Sequence, residues 1–179
     1  MSARQFLFAG FGGQGLLFAG KVLANKALME DKHVSWLPSY GPEMRGGTAN
    51  CSVIVSDEPV GSPIVSHPDV LVAMNLPSLD KFENEVTAGG IILVDSSLIE
   101  RKVEREDVTV CYVPATQMAS DNGTTTLANM ILTGKMLRVL GEYDEDELRR
   151  TMEKVIPAKH RDMLDLNLGA MRLGAEYEA

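Results

Sequence analysis

The chain has 179 residues, a formal net charge of −8 at pH 7 and two cysteines. That length suits one domain able to bury a core without disulfides or metal, and the acidic balance argues against a nucleic-acid binder, which needs a basic face to neutralise phosphates. Cys51 and Cys111 lie far apart with no C-x-x-C spacing, so neither an iron–sulfur cluster nor a zinc site can be assembled from this chain alone, and both read as buried apolar side chains.

The opening Met1-Ser2-Ala3-Arg4-Gln5 lacks a signal-peptide pattern and no apolar run is long enough to cross a bilayer, so a cytoplasmic protein is expected. Phe6-Leu7-Phe8-Ala9 reads as a short strand that enters Gly10-Phe11-Gly12-Gly13-Gln14-Gly15 and then a helix over Leu16 to Leu28. In a turn of the G-x-G-x-x-G kind the first glycine permits the tight bend, the second a close ligand approach, and the third close packing of helix on strand. Free N–H groups at such a helix start favour an anion, usually a phosphate. The alternative is a tight strand-to-helix turn that binds nothing.

The second strand, His33 to Leu37, ends in Pro38-Ser39-Tyr40. A nicotinamide cofactor needs a carboxylate at that strand end; Glu30 and Asp31 precede the strand instead, and there is no Arg to suggest the phosphorylated form. Pro38 to Gly47 then forms a long loop. Within it, Ser39-Tyr40-Gly41-Pro42-Glu43-Met44-Arg45-Gly46-Gly47 should share the carboxyl-end edge of the sheet with the glycine turn. The guanidinium of Arg45, beside two glycines, can pair in two-pronged fashion with a phosphate or carboxylate, or with Glu43 or an acid of a neighbouring subunit.

Thr48 to Ser56 alternates as a strand does, Asp57-Glu58-Pro59 turns the chain, and Val60 to Val65 is expected as a short edge strand because Pro63 cannot donate a ladder hydrogen bond. Val70 to Met74 is a continuous apolar run typical of a buried parallel strand, with a helix over Pro77 to Asn84 behind it. Gly90 to Val94 and Val108 to Val113 repeat the pattern. Asp95 and Ser96, at a strand end, either face the ligand crevice or cap the next segment. The acidic run Glu100 to Asp107 reads as a charged surface loop.

Thr125 to Leu140 is apolar around most of its circumference, which marks a helix buried between the sheet and another layer. Asp144-x-x-Glu147 resembles a capping box, Glu142 to Glu153 reads as a solvated helix face, and Lys159 to Glu178 supplies the last helix. The fold expected is α/β: a doubly wound Rossmann-like sheet with helices on both faces and C-terminal helices, in one domain over residues 1–179. The apolar helix and ten methionines suggest surface awaiting partners, with a homodimer possible in isolation. His33, His67 and His160 show no metal-ligand spacing, and no nucleophile–base pair stands near the loops.

With both loops in view, the chain resembles the gamma subunit (gamma domain) of the 2-oxoacid:ferredoxin oxidoreductases. The resemblance covers nearly the whole chain and rests on Gly10 to Gly15, on Ser39 to Gly47, and on Gly89-Gly90-Ile91-Ile92-Leu93-Val94-Asp95-Ser96; Asn129-Met130 looks like the family's Asn-Met pair. It implies a non-catalytic subunit of an assembly with alpha, beta (thiamine diphosphate) and delta (iron–sulfur) type subunits, which converts a 2-oxoacid to an acyl-coenzyme A and reduces ferredoxin. Coenzyme A is the ligand implied for Gly10, Gly12, Gly13, Gln14, Gly15, Tyr40, Arg45, Gly46 and Gly47, with no metal and no catalytic residue on this chain. Residues 45–64 look more like the 2-oxoglutarate and branched-chain members than the pyruvate members, and 2-oxoglutarate is favoured. The rival readings are a free-standing nucleotide-dependent dehydrogenase, opposed by the missing strand-end acid, and an independent coenzyme A or nucleotide-binding module.

Overall fold

The computed structural model describes residues 3–39 and 49–179. In chain order the elements are β1 (Arg4–Gly10), α1 (Leu16–Met29), β2 (His33–Ser39), β3 (Ala49–Ser56), β4 (Val70–Ala73), α2 (Leu76–Phe82), β5 (Ile91–Asp95), β6 (Thr109–Val113), α3 (Ala115–Asp121), α4 (Ala128–Val139), α5 (Glu145–Val155) and α6 (Asp162–Glu176). Single 3-10 turns occupy Glu83–Glu85 and Ala158–His160.

The apolar runs become one sheet in the order β2-β3-β1-β4-β5-β6. β1, β4, β5 and β6 are parallel, whereas β3 runs antiparallel to both of its neighbours. The sheet is therefore mixed. The link over residues 40–48 is too short for a parallel crossover, which takes a dozen residues or more, so the chain returns antiparallel. Because β3 is reversed between them, β1 and β2 point the same way, and Ala9, Asn50 and Ser39 form one row across the three strands. The carboxyl ends of β1 and β2 thus share an edge, as the alternation predicts.

Side chains alternate across the central strands. Phe6, Phe8, Val70, Val72 and Leu93 face the layer built by α1 and α3–α6, while Leu7, Ala9, Leu71, Ala73 and Ile92 face α2 and the segment after β5, through Leu79, Val86 and Ile99. Helices cover both faces, thickly on one and thinly on the other. α4 lies between the sheet and α6, which explains its apolar circumference: Met130, Ile131, Leu132 and Met136 are all fully buried. The two helices cross at glycines, since a Cβ on Gly134 would lie 1.9 Å from the Met171 carbonyl oxygen and one on Gly174 would lie 1.7 Å from that of Ile131. The apolar surface expected to await partners on this helix is covered by α6 of the same chain.

Several boundaries differ from the sequence reading. Residues 60–65 form no strand; Pro59 and Pro63 remove two ladder donors, and the sheet's edge positions belong to β2 and β6. α3 has no counterpart among the expected elements, and α4 begins at Ala128 rather than Thr125. The last helix is split, a 3-10 turn preceding α6. Half of the capping box forms: the Asp144 side chain accepts the Glu147 N–H at 2.9 Å, while the Glu147 carboxylate turns instead to Lys26 at 3.5 Å. Pinning of the acidic loop goes beyond the surface role expected, because buried Glu83 accepts the Glu104 N–H at 2.6 Å and an Arg101 N–H at 2.7 Å. Among the described residues, no helix is long and apolar enough to cross a membrane.

Candidate functional site

β1 delivers the chain to Gly10, and the next five residues turn it into α1. Gly13 (φ 88°) and Gly15 (φ 76°) occupy the left-handed region, where a side chain is strained. The turn is held by Gln14. Its Oε1 accepts the Phe11 N–H at 2.6 Å and its Nε2 donates to the Met74 carbonyl at 3.0 Å, which ties the end of β1 to the end of β4. Gly10 makes this possible, because a Cβ there would lie 2.3 Å from Gln14 Oε1 and 3.0 Å from Met74 Cβ.

With Gln14 consuming the Phe11 donor, the N–H groups of Gly12, Gly13 and Gly15 make no hydrogen bond among the described residues. A Cβ on Gly12 would meet nothing within 4 Å. Gly13 is likewise open, so the exposed Gly12–Gly13 stretch leaves two donors unused, the arrangement that suits an anion. Exposed Phe11, Leu76 and Leu98 follow the ends of β1, β4 and β5, so apolar contact surface runs along the same edge.

Gly15 has a different role from the one expected of a third glycine. Its missing Cβ makes room for α4 rather than for β1: a Cβ would lie 2.3 Å from Asn129 Nδ2, which donates to the Gly15 carbonyl at 3.0 Å. Asn129 is buried and so braces the first turn of α1 from the neighbouring helix. Asn129 belongs to the Asn-Met pair of the family resemblance, but nothing local in the sequence foretells this contact.

The carboxylate of Asp95 is fully buried and used as a cap. It accepts the Thr116 hydroxyl at 2.6 Å, the Ser97 N–H at 3.1 Å and the Thr116 N–H at 3.3 Å, joining β5 to the start of α3. Of the two alternatives for Asp95, capping is the one realised. Tyr40, Arg45, Gly46 and Gly47 lie outside the described residues; their flanks Ser39 and Ala49 stand at the edge where β1 ends, Ala49 opposite Gly10.

The charged groups of altered acidity around α1 lie away from this edge. A cavity of about 220 Å³ at the opposite, amino-end edge is rimmed by Arg4, Lys26 and Lys32 with their acidic partners. The Arg4 guanidinium donates to Glu142 at 2.6 Å, Lys32 pairs with Asp57, and buried Lys26 pairs with Glu30 and, at 3.5 Å, with Glu147 of α5. Burial works against the Lys26 charge, but these carboxylates outweigh it and hold the ammonium above its ordinary value. Glu147 is pushed up by burial and by the neighbouring Glu30; at Glu30 burial also pushes upward, but the hydrogen bonds with Lys26 and Glu147 and the charges of Lys26 and Lys32 together outweigh it and hold the carboxyl low. Each rim cation has a carboxylate partner, and the cluster reads as a brace between α1 and α5 and not as an anion site. Burial raises the Cys51 thiol to about 12, so it is no nucleophile. Among the described residues no group of three or more His, Cys, Asp or Glu is placed to hold a metal ion.

Residues 5–177 match the family profile described as pyruvate ferredoxin/flavodoxin oxidoreductase. The chain is similar to the ketoisovalerate oxidoreductase subunit VorA of Methanothermobacter thermautotrophicus, at 45% identity over 94% of this chain and 35% of that protein, so it spans about a third of that relative. It is similar to the 2-oxoglutarate synthase subunit KorC of Methanocaldococcus jannaschii at 33% identity over 86% of this chain and 84% of that one. Its fold is that of the keto/oxoacid ferredoxin oxidoreductase gamma subunit of Geobacter sulfurreducens, with a TM-score of 0.81, 28% identity, and coverage of 97% of this chain and 96% of the other. With the glycine turn, the mixed sheet and the matched span in agreement, the chain belongs to the pyruvate ferredoxin/flavodoxin oxidoreductase family and is of its gamma-subunit type.

Proposed function

We propose that this chain is the gamma subunit of a multi-chain, cytoplasmic 2-oxoacid:ferredoxin oxidoreductase, inactive alone, and that its carboxyl-end edge helps to hold coenzyme A. The observation that carries the reading is the pair of unused donors at exposed Gly12 and Gly13, with open space beside them and the turn locked in place by Gln14, and with no acid–base or nucleophilic pair beside them among the described residues. A site that binds but has no means of reacting suits a chain that positions a substrate for chemistry performed elsewhere. Thiamine diphosphate and iron–sulfur clusters would then reside on alpha, beta and delta type partners. Tyr40, Arg45, Gly46 and Gly47 would complete the site, Arg45 as the fixed positive charge.

The substrate favoured is 2-oxoglutarate, supported by similarity to KorC over most of both chains. A branched-chain 2-oxoacid is the second reading, supported by the higher identity to VorA. The test is to co-express the chain with the products of its neighbouring genes and to assay the purified complex with 2-oxoglutarate, ketoisovalerate and pyruvate, with coenzyme A and an artificial electron acceptor. Turnover should require the complex, and turnover by this chain alone would sink the proposal. Arg45→Ala should raise the coenzyme A requirement by an amount equivalent to roughly 1.5–3 kcal/mol if the contact is desolvated and less if exposed. Gly12→Val should raise it further while leaving the fold intact, because the added side chain points into open space. Wild-type dependence on coenzyme A in both variants would make the edge a subunit interface.

A further inference from the structure

The geometry of the glycine turn converges on Gln14. Its backbone N–H donates to the Phe11 carbonyl at 3.3 Å, and its side-chain oxygen accepts the Phe11 N–H at 2.6 Å. One residue thus holds both backbone groups of Phe11, and the short loop between them is closed twice. A third bond anchors that loop, from Gln14 Nε2 to the Met74 carbonyl at 3.0 Å. Met74 is itself fixed, since its N–H donates to the Ala9 carbonyl of β1 at 2.8 Å. The orientation of the carboxamide follows from its partners. A carbonyl only accepts and so faces the NH₂ group, and a backbone N–H only donates and so faces the oxygen.

Gly12 and Gly13 lie inside the closed loop, exposed and with open space where a Cβ would be. Neither has a side chain to restrain it, and Gly13 holds φ 88°. Glycine has the widest backbone freedom of any residue, so the direction of these two N–H groups is set by the residue that closes the loop around them. We propose that Gln14 is a positioning residue for anion binding at this turn: it fixes the Gly12 and Gly13 N–H groups in advance, so that coenzyme A meets donors already ordered. This role rests on the coenzyme A reading of the edge and adds to it a residue that sets affinity with both ends of its carboxamide engaged on backbone. Ordering a backbone costs free energy, and a turn ordered before binding spares the ligand that cost. Glutamine suits the task because one neutral group carries a donor and an acceptor together. A carboxylate has no proton for Met74 and sets a negative charge beside the anion, whereas a protonated carboxyl group has a donor and an acceptor again.

The test compares the full-length, ¹⁵N-labelled protein with Gln14→Met, which keeps the length of the side chain and loses its hydrogen bonds, and with Gln14→Glu. Coenzyme A is titrated into each and followed at Gly12 and Gly13 by nuclear magnetic resonance. The wild type should shift both signals. Gln14→Met should bind about tenfold more weakly than wild type at every pH, the equivalent of ordering the backbone of about one residue on binding. Its Gly12 and Gly13 amides should also show lower order parameters before coenzyme A is added. Gln14→Glu should be at least as weak at about pH 8 and should approach wild-type affinity at about pH 5, because the Met74 carbonyl and the anion both favour its protonated form, which can donate to Met74. This variant also keeps the test alive should Gln14→Met fail to fold. A merely structural glutamine would lower stability without that pH-dependent recovery. Wild-type affinity in a folded Gln14→Met variant, or recovery of Gln14→Glu no further than the Gln14→Met level, would overturn the positioning role and leave the coenzyme A reading in place. A wild-type protein whose Gly12 and Gly13 signals ignore coenzyme A would overturn both.

Discussion

Gly15→Ala isolates the contact that braces the candidate site. Two costs arise together: Gly15 has φ 76°, and its missing Cβ leaves room for Asn129 Nδ2 at 2.3 Å from where that atom would be. The left-handed backbone costs an alanine about 1–2 kcal/mol. Displacing the buried carboxamide from the Gly15 carbonyl costs about 1–3 kcal/mol more, giving a total loss of about 2–5 kcal/mol. For a chain of this size each kcal/mol corresponds to a Tm change of about 2–4 °C, so Tm should fall by at least about 4 °C. The assay is a double-mutant cycle by urea denaturation with Gly15→Ala, Asn129→Ala and the pair. With Asn129 truncated, both the clash and the hydrogen bond are gone and Gly15→Ala should cost only the backbone term, leaving a coupling of about 1–3 kcal/mol. If Gly15→Ala is as costly in the Asn129→Ala background as in the wild type, the brace plays no part in stability and the reasoning fails.

Other expectations follow from the same geometry. Gly134→Ala places a methyl against the Met171 carbonyl of α6, where backbone meets backbone and no side chain can swing away; it should cost about 1–3 kcal/mol or more by chemical denaturation, despite the roughly 1 kcal/mol that alanine gains over glycine in a helix. Glu147 has its proton affinity raised by burial and by Glu30, so between the ordinary value of 4.5 and its raised value the folded protein binds the extra proton and stability falls as pH rises. Urea midpoints of Glu147→Gln should therefore be flatter than wild type above pH 4.5, and identical slopes would refute the assignment. Glu30 runs the other way, its contribution present above its ordinary value and lost as pH falls through its lowered one. Cys51, buried and with its thiol at about 12, should resist iodoacetamide at pH 8 until the protein is unfolded, as read by mass spectrometry.

Much of this protein is decided by short-range pattern. The apolar runs at Phe6 to Ala9, Val70 to Ala73 and Ile91 to Val94, short and bounded by turn residues, read as buried strands and are strands, and the glycines from Gly10 to Gly15 announce the strand-to-helix turn between β1 and α1. Asp144 caps α5 through a residue three positions away, so its role is legible from spacing alone. The carboxyl-end placement of the two glycine-rich segments follows from the alternation of elements as well. Residues 60–65 misled because a proline at a sheet edge and a proline in a loop leave the same mark on a sequence; which one forms depends on whether a neighbouring strand is there to pair with.

What only the tertiary structure decided rests on groups brought together from distant parts of the chain. Gln14 looks like the variable position of a glycine motif, yet it clamps the turn by reaching the carbonyl of Met74, 60 residues away. Gly15 is spared a side chain for the sake of Asn129, 114 residues away. The apolar circumference of α4 marks a buried helix, but only the crossing itself decides that α6 of the same chain covers it, through paired glycines at 134 and 174. Local periodicity reports whether a residue faces a core, because burial depends on the side of the element it occupies. It carries no information about which distant donor meets which acceptor, since that pairing is set by how whole layers pack, and the candidate site is made of such pairings.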